Sequence, residues 1–314
     1  MMAWVLVAIG LVILLLAGDA LVRGAVNLSL RVGIPALIVS LTIVAFGTSA
    51  PELLVGISAV LEGKPGLALG NVVGSNTANV LLVLGLPAMI SRMHTSTLDV
   101  RRSYWMMLAA SAGFIGLAAL GTLTWVSGLI LLAGLALMIW DQLRAARTHM
   151  SEAASCEPEP EGADPDMPWW KIAAYLVVGL CGLPFGADLL VVNASAIARD
   201  FGVSDAVIGL TLVAVGTSLP ELATTVVAAV RRQADVAMGN VIGSNLFNLL
   251  GIMGLTTLVG PVPIAPEFLR FDLWVMLASA LILVPFVLMR RDIGRVWGLI
   301  LTGLYLVYVI VILI

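Results

Sequence analysis

The sequence predicts an all-α polytopic membrane protein with ten transmembrane helices arranged as two inverted-topology five-helix repeats. Three observations predict it. The chain is 61% apolar and only 11% charged, where soluble domains carry about 25% charged residues. Ten stretches are long and apolar enough to approach the roughly 20 residues that a bilayer span needs. Two polar motifs in the first half also recur in the second at one constant spacing.

The apolar stretches are 2–22, 34–61, 66–90, 103–120, 124–141, 169–194, 205–230, 235–260, 272–289 and 296–314. Continuous helix is expected in each, because a bilayer leaves every backbone donor and acceptor to be satisfied internally. Met1 to Ala17 lacks the basic start of a secretory leader and runs directly into Asp19, so it is expected to be a retained first span. The 31 glycines suit closely packed membrane helices. No basic face or Lys/Arg-rich tract suggests nucleic-acid binding. Cys156 and Cys181 have no metal-ligand spacing and no disulfide framework.

Charge supports the count. Odd-numbered loops hold Arg23, Arg31, Arg92, Arg101, Arg102, Arg144, Arg147, Lys171, Arg231, Arg232, Arg290, Arg291 and Arg295, which is 13 of the 16 basic residues. Even-numbered loops hold only Lys64, Arg199 and Arg270. The positive-inside rule then places the odd loops in the cytoplasm and both termini outside. Residues 1–141 form the first five-span repeat and 169–314 the second. Between them, residues 142–168 carry Glu152, Glu157, Glu159, Glu161, Asp164, Asp166 and four prolines. This segment reads as a disordered acidic cytoplasmic linker.

Residues 41–52, LTIVAFGTSAPE, match residues 210–221, LTLVAVGTSLPE, at nine of twelve positions. Residues 70–81, GNVVGSNTANVL, match residues 239–250, GNVIGSNLFNLL, at eight of twelve. Both matches lie 169 residues apart, as do Asp19 and Asp188, and Gly33 and Gly202. The shared residues are mostly Gly, Thr, Ser, Asn, Pro and Glu, which generic apolar helices would not share. Five spans is an odd number, so the two copies enter the membrane from opposite sides. That plan recurs in secondary transporters, with ion sites near the midplane between the halves.

The repeated segments hold the chemistry. In G-T-S-x-P-E, Pro51 and Pro220 lack an N–H and clash with the carbonyl four residues back, at Gly47 and Gly216. The carbonyls so freed need partners, and a cation is a good one. Thr48 and Glu52, like Thr217 and Glu221, are four apart and are expected to share a helix face. Glu52 and Glu221 are the acidic residues placed deep in spans, where a charge costs about 2.5–3.5 kcal/mol and marks function. Carboxylates, hydroxyls, amides and carbonyls together suit hard cations such as Ca²⁺ and Na⁺, and no nearby His or Cys supports zinc or copper. The competing reading is a protonated Glu pair that merely locks two helices.

In G-N-V-x-G-S-N-x-x-N, Gly70 and Gly74, like Gly239 and Gly243, form an edge for close helix approach. Asn71, Ser75 and Asn79 make a polar stripe, repeated by Asn240, Ser244 and Asn248. Ser75, Asn79, Ser244 and Asn248 are read as lining the site. For Asn71, Asn76, Asn240 and Asn245, lining a site and bonding neighbouring helices both stay open. Asp19 and Asp188 are placed near span ends as capping or gating residues.

These motifs resemble the α-repeats of the calcium/cation antiporter superfamily, particularly its prokaryotic sodium/calcium exchangers, and the resemblance covers essentially the whole chain. It implies that spans 2, 3, 7 and 8 surround the ions while spans 1 and 6 slide. The implied ligands are Thr48, Ser49, Glu52, Ser75 and Asn79 with Thr217, Ser218, Glu221, Ser244 and Asn248, plus the carbonyls of Ala45 and Ala214. Several members carry Asp where this chain has Asn248, and potassium-dependent relatives need a further acidic residue. Two amides here make potassium dependence unexpected.

The expected function is a secondary antiporter exchanging Na⁺ for Ca²⁺ by alternating access, with electrogenic Ca²⁺ export. The alternative is an H⁺/Ca²⁺ or other divalent-cation antiporter on the same scaffold, followed by a cation channel. No catalytic constellation supports an enzyme, and no cofactor is implied beyond the transported Na⁺ and Ca²⁺. The bilayer is the expected partner, and each chain, holding a complete repeat pair, can act as a monomer. Short loops and no added cytosolic domain suggest a prokaryotic cytoplasmic membrane.

Overall fold

The computed structural model describes residues 2–152, 164, 166–202 and 214–313. Among the described residues, seven helices are long and apolar enough to cross a membrane, and a bent pair makes an eighth. In chain order, span 1 is Met2–Val32, span 2 the bent pair Ala36–Thr48 and Ala50–Leu61, and span 3 Pro65–Ile90. Span 4 is Arg101–Ala118, span 5 Trp125–Glu152 and span 6 Trp169–Asp200. Span 7 is described from Ala214 to Val230, span 8 is Ala234–Val259, span 9 Phe268–Val287 and span 10 Arg295–Leu313. Span 4 is less apolar than these because two arginines open it. The described part of span 7 is short, since residues 203–213, with the start of its repeated motif, lie outside the described residues.

The 169-residue spacing governs backbone geometry as well as sequence. All six described residues with positive φ fall into three pairs at that spacing: Gly33 and Gly202, Gly63 and Arg232, Gly121 and Arg290. The turn between spans 2 and 3 is closed by Lys64 N–H to Ala59 O at 2.8 Å, and that between spans 7 and 8 by Gln233 N–H to Ala228 O at 2.8 Å. Gly33 follows the end of span 1 with open space around its α-carbon. Its glycine therefore serves the left-handed turn rather than packing.

Loops of equal parity meet, which fits the odd/even assignment. The even loops pair as a short antiparallel ladder, Thr122–Leu123 with Val262–Pro263. The odd loops meet at an isolated bridge between Met93 and Ile293, reinforced by Arg92 to Asp292 at 3.1 Å.

Burial sorts the spans. In spans 3 and 8, 72% and 89% of the apolar window is buried, against 22% in spans 6 and 10. One large apolar core surrounds spans 3 and 8. A second, smaller cluster joins spans 1 and 6 to the edges of spans 2 and 7. Spans 1 and 6 pack backbone to backbone on small residues: a Cβ at Gly10 would lie 2.9 Å from Leu190 N, and one at Gly186 3.0 Å from Leu14 N.

Several expectations need correction. Span 1 has 31 residues, about 46 Å at 1.5 Å per residue. Asp19 therefore does not cap this helix, because the turn comes only at Gly33. Asp188 lies inside span 6 for the same reason. Residues 142–152 continue the helix of span 5, so the stretch taken as linker begins as helix. Glu157, Glu159 and Glu161 lie outside the described residues.

Candidate cation site

Span 2 breaks at Ser49, whose ψ of 6° ends one helix and precedes the next, and the two pieces bend by 42°. Pro51 then sits in the first turn of Ala50–Leu61, where its missing N–H costs nothing. Span 7 repeats this at Ser218 and Pro220. The break falls between Thr48 and Glu52, so the bend, not one unbroken face, turns both inward. It also places Glu52 and Glu221 in the first turns of half-helices, where the backbone dipole favours a carboxylate.

Spans 3 and 8 contribute through local π-helix, at Asn79–Val83 and Phe247–Ile252. Such turns insert one residue into an α-helix and recur at functional sites. Span 8 approaches span 2 closely because of Gly239 and Gly243. A Cβ at Gly243 would lie 2.6 Å from Leu41 O, and one at Gly239 2.9 Å from Leu37 O. The equivalent edge, Gly70 and Gly74, touches only Phe268 among the described residues.

Glu52, Asn79, Glu221, Ser244 and Asn248 are fully buried, and Thr48, Ser49, Ser75 and Ser218 are at most 3% exposed. Ser49 Oγ donates to Glu221 Oε1 at 2.9 Å, and Ser244 Oγ donates to the same oxygen at 3.4 Å. Thr48 Oγ1 donates to Asn240 Oδ1 at 3.3 Å, and Thr217 Oγ1 to Asn71 Oδ1 at 3.3 Å. The Ala45 carbonyl accepts from Thr48 Oγ1 at 3.3 Å and from Ser49 N–H at 3.1 Å. Ala214 opens the described part of span 7.

Seven buried oxygens here have no hydrogen-bond partner among the described residues: both carboxylate oxygens of Glu52, Ser75 Oγ, Asn79 Oδ1, Ser218 Oγ, Glu221 Oε2 and Asn248 Oδ1. Each unsatisfied buried polar group costs about 1–3 kcal/mol. Seven together match or exceed the whole stability of a typical domain, about 5–15 kcal/mol. They all belong to residues expected to be ligands. A hard cation satisfies oxygens of this kind together. Among the described residues, no group of three or more His, Cys, Asp and Glu is placed to hold a metal.

Sequence reasoning left Asn71 and Asn240 open. The structure gives each the same two bonds across the pseudo-symmetry: Asn71 Nδ2 to Glu52 O at 3.5 Å and Asn240 Nδ2 to Glu221 O at 3.4 Å, each also accepting the threonine hydroxyl from the opposite half. They lie behind the site and hold its backbone. Their place in a duplicated motif was the available signal.

A family model described as "sodium/calcium exchanger protein" matches residues 2–143 and 171–314. CaxA of Alkalimonas amylolytica is 35% identical, over 98% of each chain. The sodium/calcium exchanger MaX1 of Methanosarcina acetivorans is 32% identical, over 98% of this chain and 97% of its own. A solved structure of the sodium-calcium exchanger NCX_Mj, soaked with Na⁺ and Sr²⁺, superposes with a TM-score of 0.83 at 29% identity, covering 98% of this chain and 97% of that one.

Proposed function

The chain belongs to the sodium/calcium exchanger protein family, and from that premise we propose that it exports Ca²⁺ in exchange for entering Na⁺ by alternating access. The family's members are transporters, so this integral membrane protein is an antiporter and not an enzyme. The single observation that supports the ion site best is the set of seven unpartnered buried oxygens around Glu52 and Glu221.

The site residues take defined roles in this reading. Glu52 and Glu221 carry up to two negative charges, which one Ca²⁺ or two Na⁺ neutralise. Hydroxyls of Thr48, Ser49, Ser75, Thr217, Ser218 and Ser244, amide oxygens of Asn79 and Asn248, and carbonyls of Ala45 and Ala214 complete an all-oxygen shell. A third Na⁺ would make exchange electrogenic. The occupied, charge-neutralised site is the form that crosses, because bare carboxylates in a low-dielectric interior resist reorganisation. The protein sits as a monomer in a prokaryotic cytoplasmic membrane with both termini outside, and the relative named inner membrane protein YrbG, from Escherichia coli, supports that placement.

The test is ⁴⁵Ca²⁺ uptake into proteoliposomes preloaded with Na⁺, compared with a matched pH gradient. Uptake driven by the Na⁺ gradient alone is expected. Uptake driven only by protons would replace the coupling ion and favour H⁺/Ca²⁺ exchange at the same carboxylates. Passive flux that cannot run against a gradient would indicate a channel.

A further inference from the structure

Four asparagines form a closed crossing between the two halves. Asn76 Nδ2 donates to the Asn245 backbone carbonyl at 3.2 Å, and Asn245 Nδ2 donates to the Asn76 carbonyl at 3.3 Å. Asn248 Nδ2 donates to Asn76 Oδ1 at 2.9 Å, and Asn79 Nδ2 to Asn245 Oδ1 at 3.1 Å. Each bond has its counterpart under exchange of the halves, so the pseudo-two-fold axis passes between Asn76 and Asn245. All four residues are at most 3% exposed.

The donors and acceptors leave no freedom of orientation. A backbone carbonyl can only accept, so Asn76 and Asn245 must turn their nitrogens to it. Their side-chain oxygens then face Asn248 and Asn79, whose nitrogens must donate. Asn79 Oδ1 and Asn248 Oδ1 are left buried and unpartnered, on the same stripe as Ser75 and Ser244. An amide presents a partial negative charge at oxygen and a partial positive charge at its NH₂ group. Rotating either amide by half a turn would convert a cation ligand into a repulsive group.

We propose that Asn76 and Asn245 are positioning residues: by capturing the nitrogens of Asn248 and Asn79 they commit those two amide oxygens to the cation site. They act through their partners and need not touch the ion. The proposal rests on the cation-exchange reading above, since it assigns the amide oxygens to transported ions.

The experiment compares wild type, Asn76→Ala, Asn76→Asp and the double variant Asn76→Ala/Asn248→Asp. It measures Na⁺-driven ⁴⁵Ca²⁺ uptake and, separately, ⁴⁵Ca²⁺ and ²²Na⁺ binding to purified full-length protein. Loss of one orienting hydrogen bond should raise the Ca²⁺ half-saturation of Asn76→Ala about tenfold, with maximal rate within about twofold. Asn76→Asp keeps the acceptor for Asn248 and, as the neutral acid, an O–H donor for the Asn245 carbonyl, so it should stay within about threefold of wild type. Asn248→Asp has no nitrogen to misplace, so it should restore most of the affinity lost in Asn76→Ala. Unchanged half-saturation in Asn76→Ala, or equal defects in the Ala and Asp variants, would overturn the proposal. If Asn76→Ala does not fold, Asn76→Asp decides alone: near-normal half-saturation supports positioning and a tenfold rise refutes it. Wild type that binds cations without Na⁺-driven uptake would count against exchange while the binding ratios still judge Asn76. Wild type that binds neither cation would overturn both.

Discussion

The hydroxyl of Ser49 donates to Glu221 Oε1 at 2.9 Å, joining the two halves of the chain, while its pseudo-symmetric counterpart is not made. Ser218 Oγ and both oxygens of Glu52 are buried without partners. Near-identical motifs have thus settled into unequal environments. Ser49→Ala should therefore lower the stability of the cation-free protein by about 0.5–1.5 kcal/mol, the usual net worth of a hydrogen bond. Ser218→Ala should leave that stability nearly unchanged while weakening Ca²⁺ binding. Thermal melts in detergent, with and without Ca²⁺, separate the two effects, and equal melting curves for the ion-free variants would refute the asymmetry.

Glu52→Gln and Glu221→Gln each keep shape and remove a charge. A divalent ion facing one carboxylate instead of two loses its charge balance, and transport should fall by about 100-fold or more, since an unbalanced buried charge costs several kcal/mol. Both variants should still elute as folded protein on gel filtration. Sustained Na⁺-driven Ca²⁺ flux in both would remove these carboxylates from the site.

Protons and cations compete for the same carboxylate oxygens, so acid should inhibit and Ca²⁺ should oppose the inhibition. On the acid limb, the Ca²⁺ half-saturation should rise about tenfold per pH unit for each proton displaced. A half-saturation independent of pH, with only the maximal rate falling, would place the titrating group elsewhere.

Much of this was legible in the sequence because repeated polar residues in apolar spans have few explanations. Glu52, Glu221 and the Ser/Asn stripes were visible for that reason. The parity of the arginine-bearing loops was visible because charge cannot easily be left in lipid. Other features depend on contacts between residues far apart in the chain. The amide orientation of Asn248 is set by Asn76, 172 positions away, and no local pattern encodes it. The break at Ser49 rather than at Pro51 follows from the clash that proline imposes upstream, which fixes that a helix is disturbed but not where it yields. The length of span 1 was missed because Asp19 and Arg23 look like a span end, although Asp19 is matched within the fold by Arg23 at 2.9 Å and by Arg231.

At the odd-loop face, Asp292 gathers Arg92 at 3.1 Å, His94 Nδ1 at 3.1 Å and the Ser96 N–H at 3.1 Å. Burial pushes its carboxyl up, but the hydrogen bonds from Ser96 and His94 and the charge of His94 outweigh that and hold it below the usual aspartate range. A depressed carboxyl adds stability above the unfolded-chain value of about 3.9 and loses it as pH falls through the lower folded value. The share of the melting temperature that rests on Asp292 ionisation should therefore hold down to about pH 5, then drop in acid. Asp292→Asn should melt lower at neutral pH, and the gap to wild type should close in acid. A gap that stays constant into acid would show that the carboxylate charge contributes nothing.

Asp19 of span 1 pairs with Arg231 at the end of span 7. Moving each by the repeat spacing of 169 gives Asp188 and Glu62, two acids where the first pair has opposite charges. In an inverted repeat, the contact that closes one face is replaced by its counterpart when the other face closes. On the alternating-access reading, one state would be favoured by an ion pair and the other would meet a like-charge contact. Partly exposed pairs are worth up to about 1 kcal/mol, so the bias should be up to about fivefold. Glu62→Arg would supply the missing complement, and the exposed pair it breaks with Lys64 is worth little. The ratio of Ca²⁺ half-saturation at the two faces, measured in oriented proteoliposomes, should shift by that factor in Glu62→Arg. Arg231→Glu should shift it in the same direction by weakening the other state. A ratio that neither variant moves would mean that these charges do not set the balance between states.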